Sequence, residues 1–324
     1  MSDLERSFAS SRCVVFGAGG FLGSNLAGSL AGLGADVVAF DLRPPREKRA
    51  GVTAVTGDIL DAAAVRSAIE GADHIYAFAG GSGAVRSMAD PLSDLRTSCE
   101  AQLVLLEAVR EIASAASIVF PGSRLEYGRP SSLPVGEDQP LSGTSPYAIH
   151  KIACDSYYHL YAEDYGLRTI VLRFSNPYGP HTAGDPARLG YGVLNAFVDH
   201  ALAGEAIPLY GDGEQLRDFI AVEDCVRAVI AASASSTVAT SRGRAINIGS
   251  GEGVSLRRAA EMIVHAAGRG SVRTGEPWPE AAAAVETGDF YFDVSLAREL
   301  LGWTPRITLE EGVREMVRRA VGRP

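Results

Sequence analysis

Tyr147 and Lys151 lie four residues apart in Ser145-Pro146-Tyr147-Ala148-Ile149-His150-Lys151. On a helix that spacing is about one turn, so the phenol and the ammonium share a face. A free tyrosine is a poor base, with a pKa of about 10. A cation held beside it favours the phenolate, which can then take a proton from a hydroxyl group nearer working pH. Alone the pair says little, because helical tyrosines usually pack by their rings and lysines are usually solvated. An earlier turn, Gly17-Ala18-Gly19-Gly20-Phe21-Leu22-Gly23, supplies something for it to act on.

That turn sits between a short apolar run, Cys13-Val14-Val15-Phe16, and Leu22, Leu26 and Leu30 at helical spacing. Strand, tight turn and helix in this order build a dinucleotide cradle. Glycine lets the backbone approach a pyrophosphate, and the free N–H groups of the helix start attract the anion. Gly17, Gly20, Phe21, Leu22 and Gly23 are therefore the candidate pyrophosphate contacts. A second strand, 36–40, ends at Asp41, 18 residues after Gly23. A carboxylate there suits the adenosine ribose hydroxyls and repels the extra phosphate of NADP, so NAD is the favoured cofactor; Arg43 and Arg46 keep NADP as a minority reading. After a third strand, 52–55, Asp58 and Ile59 stand where adenine would lie, although Asp58 is also placed to cap the helix that starts near Asp61. A fourth strand, 74–79, delivers Ala79 and Gly80 to the middle of the dinucleotide.

At this point the chain resembles the extended short-chain dehydrogenase/reductase superfamily, in its NAD-dependent nucleotide-sugar epimerase/dehydratase branch. The likeness rests on Gly17-x-x-Gly20-x-x-Gly23, Ser123 before Tyr127-Gly128, Tyr147-x-x-x-Lys151, Arg173-Phe174-Ser175-Asn176-Pro177-Tyr178-Gly179-Pro180, Leu216-Arg217-Asp218-Phe219-Ile220 and a closing Leu301-Gly302-Trp303-Thr304-Pro305. It implies Ser123 as the hydrogen-bonding partner of the reacting sugar oxygen and Tyr147 as the acid/base. It implies Lys151 as the holder of the nicotinamide ribose, lowering the tyrosine pKa. Asn176 and Arg217 are implied as diphosphate contacts; Arg124 and Tyr210 are further candidate substrate contacts.

Departures from the family pattern narrow the chemistry. The family's 4,6-dehydratases carry an Asp-Glu pair after the catalytic Ser/Thr, where this chain has Arg124-Leu125; Glu126 is one place out of register. Arg124 reads either as a receptor for a substrate carboxylate or as a surface ion pair. A family arginine before a C-terminal Gly-Asp is replaced in Glu286-Thr287-Gly288-Asp289, so one phosphate contact is missing or comes from elsewhere, with Arg273 a candidate.

The elements that must position these groups alternate strand and helix to about residue 175, which predicts an α/β fold: a doubly wound parallel sheet with a smaller, interleaved C-terminal lobe. The expected division is a nucleotide-binding domain of residues 12–175, rejoined by 217–250, and a substrate lobe of 176–216 and 251–324. Helices are predicted near 21–33, 61–70, 92–114, 147–165, 190–203, 222–235, 255–267 and 309–321. The resemblance implies a homodimer through helices 92–114 and 147–165.

Composition bounds the rest. The chain has 324 residues, 46% of them hydrophobic, enough for a substantial core. Its net charge of −9 and the lack of a Lys/Arg-rich stripe argue against nucleic acid. Four scattered cysteines without pairing or metal spacing suggest buried thiols in a reducing cytoplasm, and no metal site is expected. The N-terminal residues read neither as a signal peptide nor as a membrane anchor, and no run is long enough to span a bilayer. The function expected from these features is C4 epimerisation of a nucleotide-diphosphate sugar, through a transient 4-keto sugar and return of the hydride from bound NADH. The alternatives are an NAD(P)H-dependent reductase of nucleotide-4-keto-sugars and a non-catalytic NAD-binding regulator.

Overall fold

Seven of the apolar runs pair side by side, every neighbour parallel: β1 (Arg12–Phe16), β2 (Asp36–Asp41), β3 (Val52–Thr56), β4 (His74–Ala77), β5 (Ser117–Ser123), β6 (Arg168–Phe174) and β7 (Ala245–Ile248). Their order across the sheet is β7-β6-β5-β4-β1-β2-β3. The computed structural model that shows this describes residues 7–43, 49–81, 83–179, 192–234 and 241–322.

Side chains alternate between the two faces of a strand, so β1 feeds two cores. Cys13 and Val15 pack with Leu26 and Leu30 of helix Phe21–Gly32 and with Val226 and Val229 of helix Val222–Ala234. Val14 and Phe16 pack on the other face with Leu105 and Val109 of helix Ala101–Ile112 and with Tyr158 and Tyr161 of helix Pro146–Tyr165. The strand order reverses between β1 and β4. A crevice opens there at the carboxyl ends of the strands, where doubly wound sheets take their ligands.

A further cluster joins Leu194, Phe197, Ile207, Leu209, Ile263, Val313 and Met316. It lies among helices Val193–Leu202, Leu256–Ala267 and Leu309–Val321 and the paired strands Ala206–Tyr210 and Ser271–Glu276. A small aromatic cluster of Tyr127, Val135, Phe290 and Phe292 lies beside the end of β5.

Three local readings of the sequence change. The segment expected as one helix over 92–114 is helical over Pro91–Leu95, makes a π turn over Arg96–Glu100 and resumes as Ala101–Ile112. Asp90 starts it by accepting from the Ser93 amide at 3.0 Å, with Pro91 at the first position. Its π turn leaves Ser98 and Cys99 buried, and periodicity alone carries no sign of it. The second change lies in the expected substrate lobe, 251–324. Ala297 and Trp303 from that segment pack into the core of the main sheet, and the Trp303 indole donates to the Asp224 carbonyl at 3.2 Å. Third, helix Ala84–Ala89 was not expected at all. Residues 180–191 of the expected lobe, including Pro180 of the Asn176 motif, lie outside the described residues. Among the described residues no helix is long and apolar enough to cross a membrane.

Candidate active site

Helix Pro146–Tyr165 begins where its sequence dictates. The Ser145 side chain accepts from the Ala148 amide at 3.2 Å, Pro146 fills the first turn, and Gly166 ends the helix at φ +71°. This sets Tyr147 and Lys151 against the end of β5, whose seven residues are all buried and whose last is Ser123. The Ser123 side chain lies close enough to the Tyr147 phenol to pull its pKa down against burial. Lys151 is buried; its Nζ donates to the Pro121 carbonyl at 2.6 Å and lies 4.4 Å from the Phe120 ring centroid and 5.8 Å from that of Tyr147. The three residues expected to carry the chemistry thus meet in one place.

The electrostatics differ from expectation. Burial, and then the Glu126 carboxylate, push the Tyr147 pKa up, and the Ser123 side chain is the leading influence the other way. The Lys151 ammonium is directed to the Pro121 carbonyl and the Phe120 face. Desolvation pulls the Lys151 pKa down, with the charges of Glu126 and Asp94 among those opposing it.

Glu126 is the residue the sequence reading set aside. Ser123, Arg124, Leu125 and Glu126 form a capping box: the Leu125 amide donates to Ser123 Oγ at 3.2 Å and the Ser123 amide to Glu126 Oε1 at 2.5 Å. The pattern Ser-x-x-Glu was the signal that would have found it. The other oxygen of Glu126 takes Arg173 Nε at 3.0 Å, and Arg173 also pairs with Asp155 and donates to the Tyr127 hydroxyl at 2.7 Å. Burial raises the Glu126 pKa, and Arg173 opposes the rise. Ser123 is therefore clamped from below by a buried charge network.

The cradle at the other end fits a dinucleotide. Gly17, at φ +78°, donates to the Phe40 carbonyl at 2.9 Å, and a Cβ on it would stand 2.6 Å from the Phe78 carbonyl. A Cβ on Gly23 would collide with the Gly17 carbonyl. Helix Phe21–Gly32 starts at Gly20 without a side-chain cap, and its positive end faces the turn where an anion would lie. Leu22 packs against the core behind the turn. Asp41 Oδ2 accepts from the Gly19 amide at 2.9 Å and Oδ1 from the Arg43 amide at 3.1 Å, so the carboxylate stands at the turn with acceptor capacity left for ribose hydroxyls. Arg46 lies outside the described residues. Asp58 accepts from the Leu60 amide at 2.9 Å, and it is Asp61 that caps the next helix. Ile59 is buried in the core beside Phe40. The Ala79 carbonyl accepts from Gln102 at 2.8 Å, and a Cβ on Gly80 would meet open space.

At the substrate end the structure joins Arg124 to Asn176, with Nε donating to Oδ1 at 3.0 Å, and to Thr287 at 2.9 Å. Arg217 is buried and pairs with Glu286 at 2.6 Å. Tyr210 is exposed at the end of its strand, 5.1 Å from the Trp278 ring. Arg273 is 62% exposed and pairs with Glu276 at 2.7 Å. Sequence reasoning missed Thr287 and Phe290, which reach Arg124 from more than 160 residues away. It also missed the approach of Cys99 and Cys154, whose sulfurs stand 3.8 Å apart, and the pairing of His150 with Asp94 at 2.6 Å. None of these contacts has a local signature.

The model of the family described as "NAD dependent epimerase/dehydratase family" matches residues 13–249. The chain is 32% identical over 319 residues to UDP-glucose 4-epimerase of Mycolicibacterium smegmatis, covering 94% of this chain and 97% of that one. It is 31% identical over 319 residues to dTDP-6-deoxy-L-talose 4-dehydrogenase (NAD(P)(+)) of Kitasatospora kifunensis, covering 95% of each. The crystal structure of UDP-glucose 4-epimerase with UDP-glucose from Thermotoga maritima superposes with a TM-score of 0.84 at 26% identity, covering 96% of this chain and 99% of that one.

Proposed function

The chain belongs to the NAD dependent epimerase/dehydratase family, and on that premise we propose that it is a redox-neutral nucleotide-sugar epimerase acting at C4. One observation carries the choice: the Tyr147 phenol stands beside Ser123, while among the described residues no acid follows Ser123 in the place that water elimination needs. Arg124 and Leu125 occupy the positions after Ser123, and the nearby Glu126 is turned inward onto the Ser123 amide and Arg173. Proton transfer at a carbinol oxygen is the chemistry that remains.

Gly17, Gly20, Gly23, Asp41 and Gly80 would hold NAD, with Lys151 and Tyr147 at its nicotinamide end. Bound NAD would supply a hydride acceptor and donor beside the reacting carbon and a positively charged ring beside the phenol, and inversion would require the 4-keto sugar to turn its other face to that ring. Tyr147 takes the hydroxyl proton as the ketone forms and gives it back afterwards. A cation beside the phenol works against the upward pull that burial exerts on it. Ser123, fixed by its capping box, orients the reacting oxygen. Tyr210, exposed at the end of its strand, and its neighbour Trp278 offer aromatic surface to the base.

Purified protein incubated with UDP-, dTDP-, GDP- and CDP-sugars, without added reductant, is expected to interconvert one 4-epimeric pair. The likeness to a 4-dehydrogenase favours one second reading, a ketoreductase using the same three residues. No interconversion across the panel, together with stoichiometric NAD(P)H oxidation by a 4-keto sugar, would replace the first reading with the second.

We also propose a homodimer through the helical segments 91–112 and 146–165. Leu92 is 71% exposed there, Leu160 43% and Tyr165 52%, beside a groove of about 740 Å³ walled by Leu95, Leu103, Val104 and Tyr157. Exposed apolar residues grouped in this way mark an interaction surface. Sedimentation is expected to give twice the chain mass, and Leu92→Glu with Leu160→Glu to give the monomer. A wild-type monomer at micromolar concentration would exclude the dimer.

A further inference from the structure

Arg124 follows Ser123 directly and opens the short turn Arg124–Tyr127 at the end of β5. Its guanidinium stays at that end of the sheet. Ser123 pairs in register with Phe174 of β6, and two residues beyond Phe174 stands Asn176, whose Oδ1 accepts from Arg124 Nε at 3.0 Å. Nη1 donates to Thr287 Oγ1 at 2.9 Å, and the group lies 5.3 Å from the Phe290 ring centroid. Asn176 is itself anchored, its Nδ2 donating to the Asp218 carbonyl at 2.8 Å. The fork is thus fixed at the carboxyl edge of β5 and β6, on the residue next to the serine that stands beside the Tyr147 phenol.

All of these partners are neutral. Among the described residues no carboxylate forms an ion pair with Arg124. The negative groups that influence it, Glu286 and Asp218, are engaged elsewhere: Glu286 pairs with Arg217 at 2.6 Å, and the Asp218 carboxylate accepts from Ser250, Gly251 and Phe292. Nη2 has no hydrogen-bond partner among the described residues, and Arg124 is half-buried, so the fork keeps an open end. Loss of water around the group, and then the Arg217 charge, pull its pKa down to about 9. A desolvated cation without a counter-ion is unfavourable, and a bound anion relieves it.

The chemistry of the sugar says which anion fits. A pyranose carries its diphosphate on C1, across the ring from C4, so the diphosphate and the C4 oxygen cannot both lie at Ser123. An anion beside the C4 oxygen is borne by a ring neighbour of C4. A carboxylate on C5 is planar and offers two oxygens, the match for a guanidinium fork. We propose that Arg124 is a specificity-determining receptor for a carboxylate on the sugar itself, and that the substrate is a nucleotide-diphosphate uronic acid. The inference rests on the C4-epimerase reading above and names the class of sugar. It leaves Arg217 to the diphosphate at the other end of the ring.

Calorimetric titration of the NAD-loaded protein with glucose, glucuronic acid and glucuronamide, each carried on UDP, dTDP, GDP and CDP, tests this without relying on turnover. The amide has nearly the shape of the acid and lacks its charge. On the preferred nucleotide, wild type is expected to bind the acid at least about tenfold more tightly than the glucose or amide form. Arg124→Gln is expected to weaken the acid roughly 10- to 100-fold and the two neutral sugars by less than about threefold, with Arg124→Lys recovering only part of the loss. If Arg124→Gln melts below the assay temperature, the wild-type comparison decides: preference for the acid over the amide supports the proposal, and equal affinities overturn it. Equal weakening of all three ligands by a folded Arg124→Gln also overturns it, because a diphosphate contact or a merely structural role acts on all three alike. Selective loss of the acid in Arg217→Gln and not in Arg124→Gln would move the carboxylate to Arg217 and overturn the assignment. If no nucleotide sugar binds at all, the epimerase reading falls and takes this inference with it; if the glucose form binds and the acid is not preferred, only this inference falls.

Discussion

Tyr147→Phe is expected to lower kcat by roughly 10²- to 10⁴-fold, the contribution of a positioned acid/base, while NAD affinity stays unchanged. The substitution removes one oxygen from a ring whose position is set by the helix around it. The Tyr147 amide still donates to Ser87 Oγ at 3.0 Å, and Lys151 still donates to the Pro121 carbonyl. Nothing in the glycine cradle touches the deleted atom. Ser123 keeps the Leu125 amide as a partner, so the end of β5 holds its shape. The loss therefore belongs to proton transfer and falls on kcat and kcat/KM alike. Single-turnover kinetics and a parallel NAD titration check it. A variant retaining a tenth or more of wild-type kcat would exclude the phenol as the proton carrier.

Arg173→Met is expected to destabilise the fold by about 3–5 kcal/mol, because it strands two buried carboxylates. Arg173 lies between Glu126 and Asp155 and is nearly inaccessible, as is Glu126. The pH dependence has a definite sign. Burial already raises the Glu126 pKa, so between its ordinary and its raised value the folded state binds more protons than the unfolded one. Its contribution to stability is therefore fully present below the ordinary value and is lost as pH rises through the raised one. Without Arg173 the rise is larger and the window extends upward. The deficit relative to wild type is thus expected to be smallest near pH 5 and to grow toward alkaline pH, and urea unfolding across that range measures it. Glu126→Gln combined with Arg173→Met is expected to recover part of the loss. A deficit below about 1 kcal/mol, or one that shrinks as pH rises, would show that the network does not bear on the stability of the fold.

These outcomes separate local from non-local information in the chain. The glycine turn, Asp41 after β2, Ser145-Pro146 at a helix start and Tyr147 four residues before Lys151 are short patterns, set by backbone sterics, capping and helical period. They were legible in order, and with them the parallel sheet and the cofactor. The capping box of Ser123 was equally local, but it was passed over because Glu126 was judged by family register instead of by hydrogen bonding.

The amino-acid sequence by itself determined the fold class, the glycine turn and the one-turn spacing of Tyr147 and Lys151, because each depends on neighbours within a turn of helix or a few residues of strand; Ser123 it offered only through the family likeness. Only the tertiary structure decided the electrostatics around them. Which guanidinium meets a carboxylate is set by the arrival of Glu286, Thr287 and Phe290 from a distant segment, and whether the phenol is pulled up or down is set by how deeply it and Lys151 are enclosed. Charge compensation and desolvation act through space, and no spacing along a chain encodes them.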